Sequence, residues 1–285
     1  MPRYLLPVLA SIFGLSTLPV AAHVSERALV LLLPTDFYML VGVIAVLVTV
    51  FLTVLVPPRI FQSAFPRDLP PKGQAEDTRM ATLTSLISAT GFAGLIYLGL
   101  YGPRDPLENL LTLAVFSVWW IVLPFVQAAF GDVWAYLNPW SGPVRLVFGA
   151  RARWALPQSP GYWPAVATYF AASIYTLTDL APDDPERLAK VVTGYWVFTF
   201  VMCGLFGRDW LRRGEGLSVF LTLLADLAPL RWRPFSTVFP GQTLLGRTST
   251  GFSLAVFCIA ALAAGSFDGL NETFWWMGKI GINPL

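Results

Sequence analysis

The sequence predicts an all-α integral membrane protein with about six spanning helices and short interfacial or re-entrant helices. Only 13% of the residues are charged and 55% are hydrophobic, whereas soluble domains carry about 25% charged residues. The apolar residues also form runs of about 20, the length that crosses a bilayer as a helix. These runs lack the alternating polarity of membrane β-strands. We therefore expect the lipid bilayer and other membrane subunits as partners, and no nucleic acid.

Residues 1–22 are predicted to be a cleaved signal peptide. Arg3 lies in a short basic region, an apolar stretch follows, and the small residues "VAA" end the segment, which is the pattern that signal peptidases recognise. The remaining chain, residues 23–285, is expected to form a single polytopic membrane domain. Cleavage after Ala22 would make His23 the first residue of the mature protein.

Six later apolar runs are long enough to span a membrane. They are residues 37–56, 80–101, 110–130, 161–181, 188–207 and 250–267. Lys and Arg are enriched in loops that stay in the cytoplasm. With residue 23 outside, thirteen of the nineteen basic residues fall in inner segments and five in outer ones. The inner segments are residues 57–79, 131–160 and 208–249. We therefore expect the bacterial cytoplasmic (inner) membrane, with both termini in the periplasm.

Two helix ends on the predicted inner side have similar sequences. Phe130 begins "FGDVW" and Phe206 begins "FGRDW", 76 residues later, and the same offset pairs Trp120 with Trp196. Each is followed by an apolar segment too short to cross. One interpretation is a parallel repeat of the kind found in several transporters. The other is that aromatic residues and glycine are common at interfacial helix ends. The repeat would cover residues 110–160 and 188–230.

Five polar residues at or near the predicted membrane boundaries are candidates for a functional site. They are Asp132, Asn138, Asp209, Asp226 and Asp268. Asp132 and Asn138 either line an inner cavity or cap and anchor a helix end. Asp226 lies in an otherwise apolar short segment, where an ionisable group needs a partner. Asp268 contributes either to an outer oxygen-rich pocket or to an acidic helix cap.

A cluster of charges follows the fifth predicted span. Arg208, Arg212, Arg213 and Glu215 lie within "GRDWLRRGEG", and on a helix Asp209 would pair with the arginines three and four residues later. Such a cluster can bind lipid phosphate or an anionic substrate. The alternative is cytoplasmic charge that only sets the orientation of the chain.

The single histidine is a candidate metal ligand. After cleavage, His23 would offer its amino and imidazole nitrogens as a bidentate chelate for copper, although the sequence contains no second histidine. The alternative is a residue that merely follows the cleavage site. Cys203 and Cys258 both fall in apolar runs, so we expect two buried thiols and no disulfide.

Several segments together carry a resemblance to a known family: "FGDVWAYLNPWSG", "RRGEGLSVFLTLLADLAPL" and "GSFDGLNETFWW", with support from "GPRDPLENL". At these segments the chain resembles a bacterial multi-pass membrane family labelled fenitrothion hydrolase or fenitrothion-hydrolase-like. The resemblance runs from about residue 23 to the end and implies hydrolysis of an organophosphate ester. One histidine cannot build a two-metal centre, and no G-x-S-x-G elbow is present. Catalysis would therefore depend on carboxylates such as Asp132, Asp209 or Asp268, or on a complex.

The sequence is compatible with two further classes of function. Broken apolar segments, boundary acids and the possible repeat are typical of a permease or transport subunit for a small solute or ion. The His23 chelate is typical of a copper-handling membrane protein.

Overall fold

The computed structural model describes residues 79–149, 152–179, 181–232, 235–245, 251–271, 273–279 and 281, with single positions between 40 and 55. The chain divides into two units, Met1–Ser63 and Ala64–Leu285. In the first unit, the described positions from Leu40 to Leu55 are helical and exposed. The predicted signal peptide, His23 and much of the predicted span 37–56 lie outside the described residues.

The described structure is mostly helical (75%). The helices of the second unit are α1 (Arg79–Tyr101), α2 (Leu110–Phe130), α3 (Trp134–Leu137), α4 (Ser141–Phe148), α5 (Trp163–Thr178), α6 (Pro185–Phe206), α7 (Arg208–Arg213), α8 (Gly216–Ala225), α9 (Gln242–Leu245), α10 (Phe252–Asn271) and α11 (Phe274–Lys279). The middle of α2, Ala114–Val122, is π-helical. Below, α1 to α4 are called the first half and α5 to α8 the second half.

A two-stranded hairpin interrupts this helical pattern. Strands β1 (Leu230–Trp232) and β2 (Phe235–Thr237) pair antiparallel, with Arg231 opposite Ser236. The all-α prediction did not include this hairpin. Strands of three residues are too short to produce an alternation that distinguishes them from a loop.

Four described helices, α1, α2, α6 and α10, are long and apolar enough to cross a membrane. Their outer faces carry large exposed apolar side chains, including Phe125 and Leu262, each more than 70% exposed. Such continuous apolar surface indicates a lipid environment. Helix α5 has 16 residues, about 24 Å, which is shorter than the roughly 30 Å hydrocarbon core. The predicted span 161–181 is therefore not matched by a helix of spanning length.

Segments predicted to share a side of the membrane contact one another. In the loop before α2, Arg104 forms ion pairs with Glu186 in the first turn of α6 and, at 3.8 Å, with Asp184, the N-cap of that helix. At the other ends of these helices, the Trp154 backbone N–H donates to the Leu205 carbonyl at 2.8 Å. The first contact joins the segments that precede α2 and begin α6, and the second joins the segment between α4 and α5 to the other end of α6.

A buried hydroxyl joins two short elements to α1 in the first half. Ser85 Oγ donates to the Asn138 carbonyl at 2.6 Å and accepts from the Gly142 backbone N–H at 2.7 Å. We call this arrangement the first clasp. Gly142 lies so close to α1 that a Cβ there would be 2.8 Å from the Thr82 carbonyl oxygen. The start of α4 is thus held directly against the α1 backbone.

The second half contains a similar arrangement on α5, in which the carbonyl and the N–H group are two residues apart instead of four. Thr168 Oγ1 donates to the Gly214 carbonyl at 3.0 Å and accepts from the Gly216 backbone N–H at 2.8 Å. A Cβ at Gly216 would be 2.5 Å from the Ala165 carbonyl oxygen. In this second clasp the hydroxyl, the carbonyl and the close-packed glycine occur in the same order as in the first.

We expect Ser85→Ala to destabilise the protein by about 1–3 kcal/mol, because the buried Asn138 carbonyl and Gly142 N–H lose their shared partner. Thermal unfolding in detergent micelles measures the effect. Thr90→Ala is the matched control, since Thr90 lies exposed on the same helix and bonds only the Leu86 carbonyl. Equal unfolding temperatures for the two variants would contradict a stabilising role for the clasp.

The halves meet in an aromatic core. The Trp140 indole N–H donates to the Trp196 carbonyl at 3.1 Å, and the Trp196 indole N–H donates to the Pro139 carbonyl at 3.3 Å. The buried members of this core are Leu123, Trp134, Trp140, Leu156, Cys203, Trp210 and Leu221. The short helices that interrupt each half therefore pack against each other inside the bundle.

Candidate functional site

A buried carboxyl lies between the two short helices of the second half. Glu215 follows α7, precedes α8 and has no exposed surface. Its side chain accepts the Leu217 backbone N–H at 2.9 Å and the Ser218 backbone N–H at 2.6 Å, which caps α8. The Tyr195 hydroxyl donates to the same carboxyl from α6. The arrangement therefore joins a helix cap to a side chain of a candidate span.

The first half uses an uncharged group for a similar task. Asn138 is buried, and its side-chain oxygen accepts the Ser141 backbone N–H at 2.9 Å at the start of α4. Its amide group donates to the Trp134 and Ala135 carbonyls, each at 3.2 Å. Burying a carboxylate costs far more than burying an amide. An amide would be enough to cap α8, as Asn138 caps α4. Capping alone therefore does not explain why residue 215 carries a carboxyl.

The surroundings of Glu215 favour a titrating group. Burial raises the pKa of the Glu215 carboxyl above its ordinary value, while hydrogen bonds from Ser218, Tyr195 and Leu217 oppose part of that increase. Cys203, one turn beyond Thr199 on the same helix as Tyr195, also interacts electrostatically with Glu215. From α5, Thr168 contributes only a hydroxyl, bonded to Gly216. The carboxyl can thus hold a proton among neutral neighbours.

A hydrogen-bonded chain links the first half to the capping turn of Glu215. The Trp134 indole N–H donates to Ser218 Oγ at 2.8 Å. The buried Gln127 accepts the backbone N–H groups of Val133 at 2.7 Å and Trp134 at 3.2 Å, and donates to the Leu221 carbonyl at 3.4 Å. The turn that Glu215 caps is therefore hydrogen-bonded to α2 and α3.

An open cleft lies between α4, α6 and the start of α7. Its polar lining includes Ser141, Arg145, Cys203 and Arg208. Cys203 lines this cleft and also interacts electrostatically with Glu215. Of the predicted charge cluster, Arg208 lines the cleft, whereas the buried Glu215 does not.

The remaining members of the predicted charge cluster have different roles. Asp209 is 48% exposed and lies 3.8 Å from Arg212 and 3.9 Å from Arg213, as the helical spacing predicts. Arg213 also donates to Gln158 Oε1 at 3.1 Å and holds the loop before α5. Exposed pairs of this kind contribute little stability.

The other predicted site residues lie on separate elements. Asp132 is partly buried and accepts the Ala135 backbone N–H at 3.2 Å, which caps α3. Asp226 is buried at the end of α8, and Asp268 is exposed on α10. The partner of Glu215, Tyr195, was not predicted. The one sequence signal at that position is the 76-residue offset of the possible repeat, which also pairs Trp119 with Tyr195.

The metal and cysteine predictions have different outcomes. No group of three His, Cys, Asp or Glu residues suited to a metal occurs in the part of the chain that the structure describes, and His23 lies outside that part. Cys203 is buried and free, as expected. The expectation of burial is wrong for Cys258, whose side chain is exposed, because it lies on a face of α10 that the bundle leaves uncovered.

Comparisons with known proteins give no identity. A scan against protein-family models finds no match. Neither the curated proteins nor the solved structures contain a match. The functional assignment therefore rests on the geometry of the chain itself.

Proposed function

We propose that this protein is a membrane permease or transport subunit for a small solute or ion, and that Glu215 binds and releases a proton during transport. The observation that carries the proposal is a fully buried carboxyl at the junction of two short helices, where the other half uses an amide. Secondary transporters form their binding sites at such helix breaks.

The two clasps support a parallel repeat. In both halves a long helix ends at a glycine with positive φ, Gly131 (86°) and Gly207 (64°). A buried tryptophan follows three residues later, Trp134 or Trp210. We infer that the predicted repeats, residues 110–160 and 188–230, extend backward to α1 and α5, which carry the clasp hydroxyls. Rocking of one repeat against the other would change the surroundings of Glu215.

The proposed topology contains six spans after a cleaved signal peptide. It adds the predicted span 37–56 and helix α5 to the four helices of spanning length. Helix α5 carries the hydroxyl of the second clasp, as α1 carries that of the first. The residues that flank α5 can lengthen the segment that crosses the membrane. The distribution of basic residues supports the inner membrane with both termini in the periplasm.

Proton movement in liposomes tests the proposal. We expect the purified chain to acidify the lumen, seen with an enclosed pH-sensitive dye, when one of a panel of small anions, cations or neutral solutes is added outside. Glu215→Gln keeps the size of the side chain but cannot release a proton, so its flux should fall to that of empty liposomes.

Glu186→Gln is the matched control, because Glu186 is a partly exposed glutamate in the first turn of α6 that pairs with Arg104 and Lys190. Its flux should equal that of the wild type. The proposal is overturned if no solute moves protons through the wild type, or if Glu215→Gln transports as well as Glu186→Gln.

The hydrolase activity implied by the resemblance stays a prediction. Its candidate carboxylates, Asp132, Asp209 and Asp268, lie on three different elements. Phosphotriester turnover by the purified protein, with Asp132→Asn and Asp209→Asn as comparisons, tests it. Copper binding at His23 likewise stays a prediction.

A further inference from the structure

Three polar side chains on α6 form a row between Glu215 and the open cleft. Tyr195, Thr199 and Cys203 are spaced four residues apart, and residues with this spacing share one face of a helix. The Tyr195 hydroxyl donates to the Glu215 carboxyl, and Cys203 lines the cleft between α4, α6 and the start of α7. The row therefore begins at the buried acid and ends at the cleft.

The members of this row interact with one another as well as sharing a helix face. Thr199 and Cys203 each interact with the Tyr195 side chain, and Cys203 interacts electrostatically with Glu215. The Trp140 ring packs edge-on against the Tyr195 ring, with 6.4 Å between the ring centroids. These contacts place the polar groups of the row together around the carboxyl.

The hydroxyl in the middle of the row is buried and unsatisfied. The Thr199 side chain has no exposed surface, and its Oγ1 has no hydrogen-bond partner within the part of the chain that the structure describes. Its interaction with Tyr195 therefore lacks the geometry of a hydrogen bond. By contrast, the Thr193 hydroxyl on the same helix donates to the Ala189 carbonyl at 2.6 Å. Buried waters in proteins bond polar groups that are otherwise unsatisfied, so Thr199 is suited to hold one.

The second side chain bonded to the carboxyl does not lead to the cleft. The Ser218 hydroxyl forms a hydrogen bond with Glu215 and accepts the Trp134 indole N–H at 2.8 Å. An indole nitrogen is a donor only, so it cannot take a proton from Ser218. Of the two described side chains that bond the carboxyl, Tyr195 is therefore the one that can pass a proton onward.

We propose that the Thr199 hydroxyl holds a buried water, and that this water and Tyr195 carry protons between the cleft and Glu215. This inference rests on the proposed function, because it requires Glu215 to exchange a proton. During uptake, the water donates a proton to the Tyr195 hydroxyl oxygen while the Tyr195 proton passes to the carboxylate. The water takes a proton from a hydronium ion in the cleft, so Tyr195 and the water stay neutral and Glu215 becomes a carboxyl. Release reverses these steps, and Thr199 acts as a positioning residue.

The rate of proton uptake by Glu215 tests this route without measuring transport. The full chain in detergent is subjected to a rapid drop in pH, and time-resolved infrared spectroscopy follows the carboxyl band that Glu215→Gln lacks. We expect Thr199→Val to slow the appearance of this band about tenfold or more, because the water loses the group that positions it for proton transfer. Valine has the shape of threonine, and no hydrogen bond to a described residue is broken by this substitution.

Two further variants separate the hydroxyl from the shape of the side chain. Thr199→Ser retains the hydroxyl and should take up the proton at the wild-type rate. Thr193→Val is the matched control, because it makes the same change on the same helix at a hydroxyl that bonds the Ala189 carbonyl. Its rate should also equal that of the wild type.

The outcomes distinguish the route from the transport function. The route is overturned if Thr199→Val takes up the proton as fast as Thr193→Val, or if Thr199→Ser is as slow as Thr199→Val. Neither result affects solute-driven proton flux in liposomes, which tests transport separately. Slowed uptake in Thr199→Val, together with a wild type that moves no protons in liposomes, supports the route and overturns the transport function. A wild-type Glu215 band that does not respond to the drop in pH overturns both.

Discussion

Gly216→Ala is expected to destabilise the folded protein by about 3 kcal/mol, at the upper end of the cost of overpacking. The new Cβ would lie 2.5 Å from the Ala165 carbonyl oxygen and 2.7 Å from the Tyr169 backbone nitrogen. These atoms belong to the backbone of α5, so no rotamer change can relieve the clash. Separation of α8 from α5 would also break the second clasp. Thermal unfolding in detergent, followed by intrinsic fluorescence, measures the loss.

Gly194→Ala is the matched control for this substitution. Gly194 lies within α6, and a Cβ there would meet no atom within 4 Å. Since alanine favours a helix over glycine by about 1 kcal/mol, this variant should be neutral or slightly more stable. Similar unfolding temperatures for Gly216→Ala and Gly194→Ala would show that α8 does not pack closely on α5.

Glu215→Ala is the second substitution with a large expected effect. It would leave the Leu217 and Ser218 N–H groups and the Tyr195 hydroxyl without their shared acceptor. Each buried unsatisfied donor costs about 1–3 kcal/mol, so we expect a loss of at least 3 kcal/mol. Glu215→Gln retains one acceptor oxygen and should lose less. If alanine and glutamine have the same unfolding temperature, the cap does not stabilise the fold.

The same residue predicts a dependence of stability on pH. Because burial raises the pKa of the Glu215 carboxyl in the folded state, the folded protein binds this proton more tightly than the unfolded chain. The resulting stabilisation is complete below the ordinary glutamate pKa, about 4.3, and is lost as the pH rises through the raised value.

We therefore expect the free energy of unfolding of the wild type to decrease relative to Glu215→Gln across that range. The slope should not exceed about 1.4 kcal/mol per pH unit. Parallel unfolding measurements on both proteins from about pH 4 to pH 9 in detergent provide the comparison. A constant difference would mean that the pKa of Glu215 is the same in the folded and unfolded states, and a difference that grows in favour of the wild type with rising pH would mean that the carboxylate is the stabilised form.

Parts of the fold were predictable because they depend on local sequence. The runs at 80–101 and 110–130 correspond to Arg79–Tyr101 and Leu110–Phe130 within one residue, since an apolar run of spanning length is itself the signal. The short helix that begins at Gly216 was expected because its segment is apolar but too short to cross a membrane. The hairpin at residues 230–237 was not, because it is shorter than any detectable period.

The candidate site was predictable only in part. Glu215 was noticed as one charge of a cluster, and Asn138 as a polar residue at a turn. Both capping turns are bonded to helices far earlier in the chain, since Ser85 lies 53 residues before Asn138 and Thr168 lies 48 residues before Gly216. Local patterns contain no information on such distant partners.

The amino-acid sequence alone determined that most of this chain needs an apolar solvent, because hydrophobicity and the spacing of charges are properties of each residue and its neighbours. Only the tertiary structure decided that a carboxyl is buried at a helix break beneath Tyr195, and that Cys203 on the same helix as Tyr195 lines an open cleft. Burial and proximity arise from packing between distant segments, and packing sets the solvation of every polar group in the site.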